Sequence, residues 1–203
     1  MNRQIVLDTE TTGLKPGEGH RIIEVGAVEL VDGVRTGKTI QFYINPERKI
    51  PKRVIKIHGI TDSQVADKPT FGEIAGELLD FLDGAELVIH HAPFDVQFLN
   101  IEFVKAGFEP GTIENHCKVF DTLTLARQIW PRRSNKLDDV CKRVGLNPSG
   151  RKHHGALLDA ELLTDAYIAM LGVKEISAMI GRVFKWAAVA VGLVVALYFV
   201  GFG

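Results

Sequence analysis

The chain is short of cysteine, of net charge and of any zinc-type ligand cluster. Two cysteines in 203 residues, Cys117 and Cys141, are too few for a disulfide scaffold. Neither stands in a CxxC or Cys/His spacing. They read as reduced, mostly buried thiols. Lys and Arg total 24 against 25 Asp and Glu, a net charge of −1, which excludes a protein that coats nucleic acid by bulk charge. There is no internal repeat and no low-complexity linker. Met1 to Asp8 lacks the long apolar core and cleavage site of a signal peptide, so the body is expected in the reducing cytoplasm. One stretch lacks charge altogether: the 18 residues from Trp186 to Gly203 contain no Asp, Glu, Lys or Arg. A hydrophobic fraction of 46% excludes a disordered acidic chain, and its excess lies in that tail.

As a helix the tail spans about 27 Å, close to the roughly 30 Å of a bilayer's hydrocarbon core. Trp186 and Tyr198 suit interface positions. Arg182 and Lys185 flank the tail on its N-terminal side, which by the positive-inside tendency keeps the body in the cytoplasm. A helix apolar on all sides has no face for water. Residues 186–203 are therefore expected to form a transmembrane helix that anchors the chain to the inner membrane. The alternative is a helix buried against the body or in an oligomer. Residues 173–185 connect this tail to one domain over 1–172.

Within that domain, Ile5 to Leu7, Ile22 to Leu30 and Lys38 to Ile44 read as strands, with a turn at Asp32-Gly33 and an antiparallel meander as the result. Residues 46–57 look like a basic, proline-punctuated connector. Phe71, Ile74, Ala75, Leu78, Leu79 and Leu82 form one helical stripe after Thr70, stopped by Gly84. Leu87 to Ile89 and Val119-Phe120 are short buried strands. Helices follow each, from Pro93 to about Gly107 and from Asp121-Thr122 to Ile129. Two more helices are expected over 136–144 and 156–171. Three strands, then strands alternating with helices, predict an α/β fold with a mixed five-stranded sheet.

Three acidic sites stand out. Asp8 and Glu10 lie two apart on one strand, so both side chains share a face roughly 7 Å apart, costly for two carboxylates unless a cation sits between them. Asp95 lies in the first turn of a helix, where an acid also suits the dipole. Asp159 sits near the apolar face of the last helix, where an unpaired carboxylate is expensive. In a regular helix His154 and Asp159 would be about 140° apart, so they converge only if His154 lies on the loop before it. Gly155 makes that break plausible. Four carboxylates and one histidine fit hard cations such as Mg²⁺ or Mn²⁺. Two such ions clamp the oxygens of a phosphodiester displacement, and a neutral histidine deprotonates the water.

Asp8-Thr9-Glu10-Thr11-Thr12-Gly13, the Asp95 segment and His154-x-Ala156-x-x-Asp159 resemble the three motifs of the DEDDh 3′–5′ exonuclease family. The flanks, including His58-Gly59-Ile60, Lys68-Pro69-Thr70-Phe71, Gly84 to His90 and Cys117-Lys118-Val119, resemble its bacterial proofreading branch over nearly all of 1–172. The resemblance implies a ribonuclease-H-like fold and release of 5′-mononucleotides from DNA 3′ ends with two divalent cations. Asp8, Glu10, Asp95 and Asp159 would be metal ligands and His154 the general base. Thr11, Thr12 and His58 would lie along the terminal nucleotide. Asp121 matches the family pattern but reads as a helix cap. His91 stands where the family usually has Asn. The branch partners with the polymerase III alpha subunit, a small accessory subunit and a clamp. Here an apolar tail replaces the usual polymerase-binding segment, and residues 174–180 (KEISAMI) fit a clamp peptide poorly.

Basic groups for phosphate contact are Arg48, Lys49, Lys52, Arg53 and Lys56; Arg132, Arg133 and Lys136; and Arg151-Lys152 beside His154. With so little bulk charge, cleavage should lose rate only gently with salt. Two other functions remain open: a stand-alone enzyme trimming RNA or short oligonucleotides with the same five residues, and an inactive docking module.

Overall fold

The computed structural model describes residues 2–148 and 153–175 of the 203-residue chain. The expected transmembrane tail, 186–203, the connector beyond residue 175, and Arg151-Lys152 lie outside the described residues. Among the described residues no helix is long and apolar enough to cross a membrane.

Five strands form one sheet in the order β3-β2-β1-β4-β5. They are β1 (Arg3–Thr11), β2 (Ile22–Val31), β3 (Val34–Tyr43), β4 (Glu86–Ile89) and β5 (Lys118–Asp121). β1, β2 and β3 are the antiparallel meander, whereas β4 and β5 run parallel to β1 and each other. The parallel pairs need crossovers, and helices supply them. The helices are α1 (Lys52–His58), α2 (Asp62–Val65), α3 (Phe71–Leu82), α4 (Ala92–Lys105), α5 (Thr112–His116), α6 (Thr122–Ile129) and α7 (Leu137–Arg143), with α8 over residues 156–175.

Strand alternation divides the core into two layers. Ile5 and Leu7 of β1 pack with Phe71, Leu78, Phe98 and Phe103 from α3 and α4. Val6, from the opposite face, packs with Leu125, Val140, Leu163 and Tyr167 from α6, α7 and α8. Ile23, Ile50, Val54, Ile60 and Val65 make a smaller cluster under α1 and α2.

The expected connector over 46–57 is helical in its second half. Pro51 precedes α1, Val54 and His58 bury one face four residues apart, and Gly59 at φ +77° closes it in the left-handed region. α5 is a further helix without an expectation behind it; it buries Thr112 and Ile113. Both cysteines are buried, as their small number in the sequence suggested. Burial pushes the Cys117 thiol up to about 11, so it stays protonated.

Candidate active site

β1 is the middle strand and carries the first two carboxylates. Asp8 and Glu10 lie on the Val6 face, toward the α6–α8 layer, as their spacing required. Thr9 faces the other layer. There its hydroxyl donates to Asp95 Oδ1 at 2.6 Å, tying α4 to the strand between the two acids.

Asp95 is 4% exposed, in the first turn of α4. Burial raises its carboxyl well above the usual range, and the Thr9 hydrogen bond only partly opposes this. Such an acid is held as a carboxylate more easily with a cation beside it.

Helix α8 begins at residue 156, which leaves His154 on the preceding loop and Asp159 inside the first turn. The loop is pinned where His154 N donates to Ile57 O at 3.1 Å. The convergence the spacing allowed is realised: His154 Nδ1 lies 2.8 Å from Asp159 Oδ2. A carboxylate only accepts, so Nδ1 carries the proton and the lone pair of the neutral ring is at Nε2. One donor atom each from Glu10, His154 and Asp159 fall within 4.8 Å of one another. Carboxylate oxygens dominate the set, which fits hard divalent cations.

Asp121 is the helix cap it was expected to be. Oδ1 accepts from Leu123 N at 3.0 Å and Oδ2 from Thr124 Oγ1 at 2.8 Å. The same carboxylate also accepts from His91 N and Ala92 N at the start of α4. Burial works to raise its pKa, but these hydrogen bonds win and hold it below the ordinary value. His91 has φ +72°. Asn and His are both among the side chains enriched in that left-handed backbone.

Of the residues expected along a nucleotide, two use their hydroxyls internally. Thr11 Oγ1 donates to Gly13 O at 2.7 Å. Thr12, 0% exposed, accepts from Arg21 N and pairs with His20 Nδ1. Their hydroxyls shape the turn after β1. His58 is buried with Nδ1 accepting from Ile60 N at 3.0 Å. Its Nε2 has no hydrogen-bond partner among the described residues. Burial first, then the charge of His153, lowers its pKa to about 4, so it is neutral with its proton on Nε2.

The sequence reading missed the seat of α8. Glu24 of β2, 1% exposed and opposite Glu10 in the register, accepts from Ala156 N through Oε2 at 3.0 Å. Its Oε1 accepts from Gln41 Nε2 at 2.7 Å. Two residues on, a side chain at Gly26 would put its Cβ 2.0 Å from Leu157 N, so the helix backbone rests directly on the sheet. The available signal was an acid within the apolar run IIEVGAVEL.

Residues 5–167 match the RNase_T exonuclease family. The chain is 52% identical over 175 residues to DNA polymerase III subunit epsilon of Haemophilus influenzae, covering 84% of this chain and 68% of that one. It is 46% identical over 176 residues to the Escherichia coli subunit of that name, covering 85% and 72%. The solved structure of Exonuclease X in complex with 5′ overhanging duplex DNA superposes with a TM-score of 0.65 at 28% identity, covering 85% of this chain and 92% of that one. The nuclease domain of 3′hExo, described as a DEDDh family member bound to rAMP, shares the fold at TM-score 0.72, 24% identity and 84% and 92% coverage. With Glu10, His154 and Asp159 converging at the end of β1 and these relatives over most of its length, the chain is a 3′–5′ exonuclease and belongs to the DNA polymerase III subunit epsilon group of the RNase_T family.

Proposed function

We propose that Asp8, Glu10, Asp95 and Asp159 hold two divalent cations, Mg²⁺ or Mn²⁺, and that His154 is the general base for releasing 5′-mononucleotides from the 3′ end of DNA during replication. The observation that carries this is the approach of Glu10, His154 and Asp159 within 4.8 Å, with Asp95 hydrogen-bonded to Thr9, the β1 residue next to Glu10. Cations bound there would neutralise charge on the phosphate and on the leaving oxygen. His154 takes a proton from water at Nε2 while Asp159 orients the ring from Nδ1. The water oxygen bonds to phosphorus, and the bond from phosphorus to the upstream 3′ oxygen breaks. Thr9 keeps Asp95 aimed at the strand end, and Glu24 fixes the helix start that carries Asp159.

The relatives are named as subunits of DNA polymerase III, which extends the proposal to other subunits of that polymerase as partners; the family resemblance makes these the alpha subunit and a small accessory subunit. Residues 186–203 remain proposed as the membrane anchor, which would hold the nuclease at the cytoplasmic side of the inner membrane.

Mononucleotide release from matched DNA and RNA strands, with Mg²⁺ and with Mn²⁺, tests the reading. DNA should be preferred, and Asp8→Ala, which removes a proposed metal ligand, and His154→Ala, which removes the proposed general base, should each lose at least about 10²-fold in kcat. Equal or faster cleavage of RNA would replace DNA by RNA as the substrate. Activity retained in Asp8→Ala would remove that residue from the site.

A further inference from the structure

The end of the sheet that carries the catalytic carboxylates also carries a second, oppositely charged site. β1, β4 and β5 are parallel, so their C-terminal ends open on the same edge, where ligands of open α/β sheets collect. The acids stand over the end of β1. Over the ends of β4 and β5 lies a pocket of about 410 Å³, lined by His90, His91, Arg127, Arg133, Asn135 and Lys136.

Three observations separate this pocket from an ordinary basic surface. Arg127, Arg133 and Lys136 are exposed, and none of the three has a carboxylate partner among the described residues. Arg127 stands on α6, and the loop that presents Arg133 and Lys136 is built rather than loose. Asn135, 7% exposed, donates to Trp130 O and Arg133 O, while its own carbonyl lies 2.8 Å from His90 Nε2. Arg143 donates to Asn135 Oδ1 and stacks on Trp130 at 5.0 Å. Finally, the pocket adjoins the reacting centre. His91 lines it, and Asp95 lies four residues further along the same segment, about 6 Å along a helix axis. The other basic cluster differs: Arg48 and Lys49 share their pocket with Glu47 and Asp62.

We propose that this pocket is a phosphodiester subsite, binding backbone phosphates of the strand being degraded, upstream of the scissile bond. This rests on the exonuclease reading of the adjoining acids. Three unpaired cations supply the attraction that a chain of net charge −1 lacks overall. Phosphate contacts of this kind position a strand without reading its bases, as an enzyme acting on any 3′ end needs.

The test is a triple variant, Arg127→Gln, Arg133→Gln and Lys136→Gln, made in the full chain and compared at several salt concentrations. On a single-stranded 12-mer, KM should rise at least tenfold with kcat within twofold. Direct binding of that 12-mer in Ca²⁺, followed by fluorescence anisotropy, should weaken equally. Its dependence on log salt should flatten by about 2, from roughly 0.7 per lost phosphate contact on a single strand. A p-nitrophenyl ester of a 5′-mononucleotide has nothing upstream, and its hydrolysis should not change. Unchanged 12-mer binding overturns the proposal. So does an equal loss on the ester, which marks a structural effect, or a loss confined to recessed duplexes, which assigns the pocket to the complementary strand. If the wild type cleaves nothing, the catalytic reading fails, while anisotropy still decides the subsite.

Discussion

His58 lies beneath the loop that carries His153 and His154, buried, neutral and singly hydrogen bonded. Its folded pKa, about 4, is below the ordinary 6.5, so between these values the unfolded chain binds a proton that the native one refuses. Stability is therefore intact above about pH 6.5 and falls as pH drops toward 4. The full loss below that window is on the order of 3 kcal/mol. Denaturant midpoints of wild type and His58→Gln across that window should show the wild-type curve falling more steeply. Parallel curves would mean that the imidazole titrates normally in the fold. Single residues were legible where a charge stood against an apolar pattern: Asp8 and Glu10 after Ile5 to Leu7, and Asp159 between leucines. Glu24 broke its pattern just as clearly. Its partner, the backbone of residue 156, is 132 positions away and leaves no mark in the sequence.

The start of helix α8 rests on the sheet by backbone contact, beside the Glu24 carboxylate and the apolar face that the helix buries. At Gly26 an added methyl would lie 2.0 Å from Leu157 N, and the helix would have to lift off the sheet. Displacement of a catalytic group by about 1 Å costs roughly 10²-fold in rate, and overpacking costs about 1–3 kcal/mol. Gly26→Ala should show both, in kcat and in thermal midpoint. A variant with normal kcat would show that Asp159 and His154 do not depend on this seat. Long elements with a clear period were legible, α3 from its stripe and β2 from its β-branched run. α1 was hidden because only Val54 and His58 are buried among basic residues, and the prolines at 46 and 51 read as punctuation. Pro51 in fact sits just before the first helical turn, where a missing N–H is harmless.

For the whole molecule, the open test concerns residues 186–203, which fall outside the described structure. Full-length protein should stay in the membrane pellet through an alkaline wash, and a chain ending at residue 175 should be released. Equal behaviour of the two would end the anchor proposal. The mixed five-stranded sheet was legible at this scale because strand signals came in the order meander, then alternation, whereas the strand order was not. The two-layer division of labour was not, since it depends on which face of β1 each residue takes.

That division has a consequence for a protein made inside a cell full of nucleic acid. One layer delivers Asp95, through Thr9; the other delivers His154 and Asp159. On the proposed site, a chain that has packed only one side of its sheet holds an incomplete set of these residues. On that reading hydrolysis needs both layers at once, so the nuclease is armed only when its whole core is packed.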